Sequence, residues 1–138
     1  MIGSLLAQRY RIESLLCRGG MGALWLATDT QAERPVVVKI IAREFVSHPV
    51  AVTRFLREMR IHTLVRDPHI VEVLDRGVDT NLGPYLVMEH LQGEDLDQRI
   101  RRSGPLDLAE LGPVVAQVGA ALQTIHDSGF VHRDVKPS

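Results

Sequence analysis

Val131-His132-Arg133-Asp134-Val135-Lys136-Pro137-Ser138 closes the 138-residue sequence and carries its sharpest chemical pattern, a His-Arg-Asp run with a lysine two positions on. Read alone, such a run is a solvated polar turn as readily as a site. Its meaning depends on what the preceding residues build. The composition sets the frame: 45% of residues are hydrophobic, enough for a packed core, and the net charge is -1. That balance gives no reason to expect nucleic acid or an anionic membrane surface as a partner. No unbroken apolar run approaches the ~18 residues of a membrane span. The N-terminus lacks the basic flank and apolar length of a signal peptide. A single cysteine, Cys17, allows no internal disulfide and suits a cytoplasmic setting.

Of 16 basic residues only Lys39 and Lys136 are lysine. A chain so biased toward arginine keeps lysine where a compact, rotatable ammonium is needed and a planar fork is not. Lys39 ends the run Pro35-Val36-Val37-Val38-Lys39 and continues into Ile40-Ile41, a β-branched segment that reads as a buried strand with one charge in it. A lone charge there calls for a partner or a ligand, or else it snorkels to water.

Upstream, Tyr10 to Leu16 and Ala23 to Thr28 read as two strands. Cys17-Arg18-Gly19-Gly20-Met21-Gly22 reads as the turn between them, its glycines permitting close backbone approach. An inward-facing glycine turn can hold phosphate on bare N–H groups, although an ordinary hairpin turn has the same glycines. Downstream, Ser47 to Arg66 shows helical spacing in Val52, Phe55, Leu56, Met59 and Thr63, with Ser47 as cap. Glu58 lies beside that stripe and either meets Lys39 or pairs with Arg54 or His62 on its own helix. Ile70 to Asp75 and Pro84 to Glu89 read as two further strands around an Asn81-Leu82-Gly83 turn. The sum is five strands and one helix, an α+β unit.

After His90 the pattern becomes helical. Leu96 to Ser103 is a short basic helix. A longer one follows Asp107, which with Glu110 forms a capping-box pattern. Its apolar face comprises Leu108, Leu111, Val115, Val118, Leu122 and Ile125, with Gly112 and Pro113 early in it and Asp127-Ser128-Gly129 at its end. The expected division is residues 1–92 and 93–138.

In order, glycine turn, strand lysine, helix glutamate, connector and His-Arg-Asp-x-Lys resemble the protein kinase signature set. Arg-Tyr-Arg-Ile at Arg9 to Ile12, Arg-Gly-Gly-Met-Gly at Arg18 to Gly22 and Arg-Phe-Leu-Arg-Glu at Arg54 to Glu58 are similar to the bacterial eukaryotic-type Ser/Thr kinases. The resemblance implies a kinase small lobe with a five-stranded antiparallel sheet and one helix, a hinge, and the first two helices of the large lobe. Gly19 and Gly22, with Gly20 between, match the phosphate-covering loop. Lys39 would hold the α- and β-phosphates of ATP, fixed by Glu58. Leu16, Leu24, Val37 and Met88 would contact adenine, the backbones of Glu89 and Leu91 would bond its edge, and Asp95 would reach the ribose. Asp134 would accept the proton of the substrate hydroxyl. Lys136, typical of Ser/Thr specificity, would contact the transferred phosphoryl group. Arg133 matches the arginine that pairs with an activation-loop phosphate.

Two departures stand out. Cys17 occupies the first glycine position of the loop, where a Cβ restricts the turn. The family's catalytic-loop Asn and Asp-Phe-Gly motif, which bind Mg²⁺, do not occur within the 138 residues, so no metal ligand is assigned here. The expectation is therefore an ATP-dependent protein Ser/Thr kinase domain in part, inactive as these residues alone, cytoplasmic here with a membrane anchor conceivable in a longer protein. The apolar face of the last helix offers a surface for dimerisation. The competing expectation is a non-catalytic kinase-like module that binds nucleotide or a partner.

Overall fold

A computed structural model describes residues 1–19, 22–41, 50, 53, 65–133 and 135–137. The helix expected over 47–66 lies mostly outside these residues, though Val50 and Thr53 have helical backbone. The chain divides into two units, Met1–Thr63 with Val71–His90, and Leu64–Ile70 with Leu91–Ser138.

The first unit is one antiparallel sheet: β1 (Leu5–Leu6), β2 (Tyr10–Gly19), β3 (Gly22–Asp29), β4 (Arg34–Ile41), β5 (Val73–Asp79) and β6 (Gly83–Glu89), in the spatial order β1-β2-β3-β4-β6-β5. Six strands stand where five were expected. β1 is only two residues long, too short for any periodicity to announce it. It turns into β2 through Ala7 and Gln8, both left-handed (φ 48° and 55°), with the Arg9 N–H donating to the Leu6 carbonyl at 3.0 Å. Two positive φ angles at the centre of this four-residue turn reverse the chain, leaving three residues, Ala7 to Arg9, between the paired Leu6 and Tyr10.

β2 also corrects the expected turn. Cys17 pairs with Leu24, Arg18 with Ala23 and Gly19 with Gly22, so these residues extend the ladder and only positions 20–21 separate the strands. β5 begins at Val73 and runs past Asp75 to Asp79, with a register shift between Val73 and Asp75.

Alternation along β4 organises the sheet. Val36, Val38 and Ile40 are buried with Tyr10, Ile12, Trp25, Ala27, Tyr85 and Val87 in the larger core. Ile41 and Leu86, with Val73 and Met88, form a second cluster, so both faces of β4 carry apolar packing. Gly77 lies opposite Tyr85, and a Cβ on it would fall 2.7 Å from the Tyr85 hydroxyl, so the ring occupies the space a side chain would need.

The sheet curls until its ends meet, and polar groups lock the closure. The Ala7 N–H donates to Asp79 Oδ2 at 2.9 Å, joining the β1–β2 turn to the end of β5. Arg9 forks onto Asp29, Nε to Oδ1 at 2.9 Å and Nη2 to Oδ2 at 2.7 Å. Asp29, 1% exposed, also accepts the N–H groups of Gln31 and Ala32. The Tyr10 hydroxyl donates to Asp75 Oδ2 at 2.5 Å, and the Arg9 guanidinium lies 5.0 Å from the Tyr10 ring centroid. A buried carboxylate is tolerable only when its oxygens are satisfied in this way.

The second unit holds α1 (Leu96–Ser103) and α2 (Leu108–Asp127). Each starts with a capping box, Asp95 with Gln98 and Asp107 with Glu110. Glu110 also accepts from Arg99 Nη2 at 2.5 Å, tying the two helices. α2 ends in a Schellman arrangement: the Gly129 N–H donates to the His126 carbonyl at 2.9 Å and the Phe130 N–H to the Ile125 carbonyl at 3.1 Å, with Gly129 left-handed (φ 80°). The Thr124 hydroxyl donates to Asp67 at 2.8 Å, fastening the segment before β5 onto α2. Ala121 and Ile125 are buried, whereas Leu108, Val115 and Val118 are exposed. By length and composition α2 would also pass for a membrane span, although polar residues interrupt its apolar run.

The Arg9 guanidinium beside Asp29 holds that carboxyl down at about 2, against an ordinary 3.8. The folded-state value lies below the unfolded one, so the unfolded chain takes up the proton first. The stabilisation is complete well above pH 3.8 and fades as pH falls through about 2. Asp29→Asn is expected to lose on the order of 2–3 kcal/mol at neutral pH, because it removes the buried carboxylate that Arg9 grips and leaves only the 4.0 Å approach of Asp75. Its melting temperature should also fall less steeply between pH 5 and 2 than the parent's, as followed by circular dichroism. Parallel acid profiles would contradict this account.

Candidate functional site

Residues directly opposite in an antiparallel ladder share a face, so the register shows which side chains stand together. Leu24 pairs with Lys39 and Lys39 with Leu86. Leu26 pairs with Val37 and Val37 with Met88. These two rungs, Leu24–Lys39–Leu86 and Leu26–Val37–Met88, lie side by side on the face opposite the larger core. Leu24, Val37, Lys39 and Met88, which the resemblance assigned to one site, thereby share one face of the sheet. The alternation of β4 leaves no other arrangement, because Val36, Val38 and Ile40 are committed to the core.

The same rungs add residues the motif did not point to. Leu26 and Leu86 flank Val37 and Lys39, and Ile41 packs with Leu86 on this face. Their signal in the sequence is only strand alternation, which cannot tell a site face from a core face. Cys17 extends the Lys39 rung by pairing with Leu24, and its thiol is exposed. Leu16 lies at the register shift between Leu15 and Cys17 and is itself exposed.

Lys39 is half-buried, its stem between two leucines. Gly19 and Gly22 face each other as the last and first rungs of β2 and β3, and Gly20 lies outside the described residues. Glu58 and Asp134 also lie outside them, so the ion pair expected for Lys39 and the catalytic carboxylate have no geometry here.

At the end of β6 the connector is partly committed. The Glu89 N–H donates to the Glu72 carbonyl at 3.0 Å, and the Glu89 carboxylate accepts the Glu72 N–H at 2.8 Å. That removes the Glu89 N–H from the reach of a ligand. Leu91 is exposed. In the second unit, Asp95 is the N-cap of α1, its Oδ1 accepting the Gln98 N–H at 2.7 Å. An N-cap uses one carboxylate oxygen and leaves the other outward, so capping is compatible with a ribose contact. The Asp97 N–H, free in the first turn, donates to the Pro137 carbonyl at 3.1 Å and so anchors the terminal loop to the start of α1. Arg133 in that loop is left-handed (φ 66°), a conformation that costs energy for a side chain with a Cβ and is tolerated at constrained sites. Among the described residues no group of three His, Cys, Asp or Glu side chains converges as a metal site.

The geometry can do a limited set of things. The apolar rung of Leu26, Val37 and Met88 suits a flat, weakly polar group. The ammonium one rung away suits an anion attached to it. A glycine-edged hairpin adjoins both. These are the properties of a nucleotide seat.

A family model described as "Protein kinase domain" matches residues 10–138. The chain is 41% identical over 140 residues to the serine/threonine-protein kinase PknA of Mycobacterium tuberculosis, covering 99% of this chain and 32% of that protein. It is 34% identical over 136 residues to the serine/threonine-protein kinase pkn3 of Myxococcus xanthus, covering 99% of this chain and 25% of the relative. The chain thus spans about a third or less of the length of these relatives. The crystal structure of the M. tuberculosis PknI kinase domain superposes with a TM-score of 0.83 at 27% identity, over 99% of this chain and 55% of that one.

The two faces of β4 give a direct check. Val37→Trp would fill the rung between Leu26 and Met88 and is expected to abolish binding of a fluorescent ATP analogue. It should do so at a stability cost below that of Val38→Ala, which opens a cavity in the core, about 1–3 kcal/mol. Val38→Ala should retain binding. If Val38→Ala lost the nucleotide and Val37→Trp kept it, the faces would be misassigned.

Proposed function

Because this chain belongs to the protein kinase domain family, whose members use ATP and Mg²⁺, we propose that it supplies the nucleotide-binding part of a bacterial protein Ser/Thr kinase. In this reading residues 1–92 are the small lobe and hinge, and 93–138 begin the large lobe. The observation that carries it is the pair of adjacent rungs setting Lys39 beside Val37 and Met88. Their fit to ATP rests on donor chemistry: a half-buried ammonium for phosphate, apolar side chains for adenine, and glycines where a backbone must come close.

The roles then follow residue by residue. Leu16, Leu24, Val37 and Met88 enclose the adenine, the connector at Glu89 and Leu91 meets its edge, and Asp95 meets the ribose. Lys39 binds the α- and β-phosphates, and Glu58 holds the ammonium in place. Asp134 orients the substrate hydroxyl and takes its proton. Lys136 neutralises charge on the phosphoryl group in transfer. Bound Mg²⁺ supplies further charge neutralisation in this family. The acceptors are serine and threonine hydroxyls of proteins, a class supported by Lys136 and by the kinases to which the chain is similar.

These 138 residues alone do not transfer phosphate in this reading, since the sequence contains no Asp-Phe-Gly to hold the metal. They work in the cytoplasm, and a longer protein carrying them is compatible with a membrane anchor. The exposed Leu108, Val115 and Val118 on α2 favour a second reading, a non-catalytic module that uses this face for dimerisation or a partner.

The test is a pair of measurements on the purified chain. ATP should raise its melting temperature, and Lys39→Ala should remove that shift. No Mg²⁺-dependent phosphotransfer to a generic protein substrate should be detectable. Transfer that disappears in Lys39→Ala would overturn the claim of inactivity. Absence of any ATP-induced shift, together with self-association that Val115→Glu abolishes, would favour the second reading.

A further inference from the structure

Gly19 and Gly22 look alike in the motif, and the structure separates them. A Cβ on Gly19 would find one neighbour within 4 Å, the Gly22 carbonyl oxygen at an ordinary 3.8 Å. A Cβ on Gly22 would lie 2.2 Å from the Ile40 carbonyl oxygen and 3.1 Å from both the Ile40 carbonyl carbon and the Ile41 Cα. All three are backbone atoms of β4, so no change of rotamer makes room. The bare face of Gly22 is therefore turned to the strand that carries Lys39.

We infer that Gly22 is a positioning residue for Lys39: its missing side chain lets β3 lie against the Ile40 carbonyl and so fixes where the neighbouring Lys39 backbone stands. Ile40 follows Lys39 directly, and Lys39 pairs with Leu24, two residues after Gly22. Any side chain at 22 must push the Ile40 peptide away by about 1 Å or open the first rung of the β3–β4 ladder. β4 cannot yield freely. Ile40 is buried in one cluster and Ile41 in the other, at 4% and 2% exposure, so packing on both faces resists a sideways move. The displacement falls on the peptide between them and on the Lys39 Cα from which the ammonium reaches. The role assigned here to Gly22 is exerted through β4.

This role rests on Lys39 meeting nucleotide phosphates, as proposed above, and the two can fail separately. ATP and adenosine binding to the purified chain are measured by calorimetry for the parent, Gly22→Ala, Lys39→Ala and the double variant, with amide hydrogen exchange on each. Adenosine has no phosphate for Lys39 to hold. Gly22→Ala is expected to weaken ATP roughly tenfold while adenosine changes less than about twofold. In the Lys39→Ala background the same substitution should cost ATP almost nothing more, the signature of two residues acting as one. Amide exchange should rise at Lys39 to Ile41 and stay unchanged at Val36 and Val37. Equal losses for ATP and adenosine, additive losses in the double variant, or unaltered ATP affinity would each overturn the positioning role. A Gly22→Ala chain that does not fold would overturn it too, making Gly22 a folding residue. A parent chain that binds adenosine but not ATP, or neither, would instead sink the phosphate role of Lys39.

Discussion

One constraint runs through the first unit: β4 lies between β3 and β6 and must bury alternate residues on both of its faces. A strand in that position cannot slip by one residue, because a slip would carry Lys39 into the cluster of Val36, Val38 and Ile40 and leave an unpaired charge among valines. The register is therefore held by the cost of the alternative. Everything proposed for the site inherits its precision from that register. Val37 and Lys39 sit on neighbouring rungs of one face, and Leu24, Leu26, Leu86 and Met88 are placed beside them by pairing alone.

A curled sheet also needs its ends secured, and here the means are polar. Arg9, Asp29, Tyr10 and Asp75 form a connected set with Ala7 and Asp79 nearby. Burial pushes the Tyr10 phenol well above its ordinary range, and its bond to Asp75 acts in the same direction, so the hydroxyl remains a donor across physiological pH. Asp79 is held below the usual carboxylate range by the N–H groups of Ala7, Asn81 and Leu82. The left-handed backbone at Ala7 has a cost, and its N–H, freed by the turn, recovers part of it at Asp79. The closure is thus a set of mutual dependences at the opposite edge of strands whose centres carry the site.

The second unit economises on groups in a comparable way. Glu110 serves as one half of a capping box and as the partner of Arg99. Asp67 accepts from the His69 N–H and the Thr124 hydroxyl, both of which hold its carboxyl below its ordinary value. The N–H of Asp97, an orphan of the helix start, is spent on the loop that carries Arg133 and Lys136. Position in a helix terminus thus gives a residue a second task that composition does not disclose.

Much of this was legible in the residues themselves. Local chemistry fixed the strand character of Pro35 to Ile41, the extent of both helices, the Asp107–Glu110 cap and the chain reversal at Gly129, because each depends on neighbours within four positions. The order of glycines, Lys39 and His132-Arg133-Asp134-x-Lys136 pointed to a kinase, the family to which residues 10–138 belong. The tertiary structure alone decided which neighbours those residues have. The two-residue β1, the extension of β2 through Cys17 to Gly19, the burial of Asp29 beneath Arg9 and the cap at Asp95 were not foreseen from residues in isolation. The division between Gly19, which has room, and Gly22, which does not, has the same origin. The face on which Lys39 stands was fixed once β3 and β6 paired with β4, since a period of two records alternation and only pairing records which side is which.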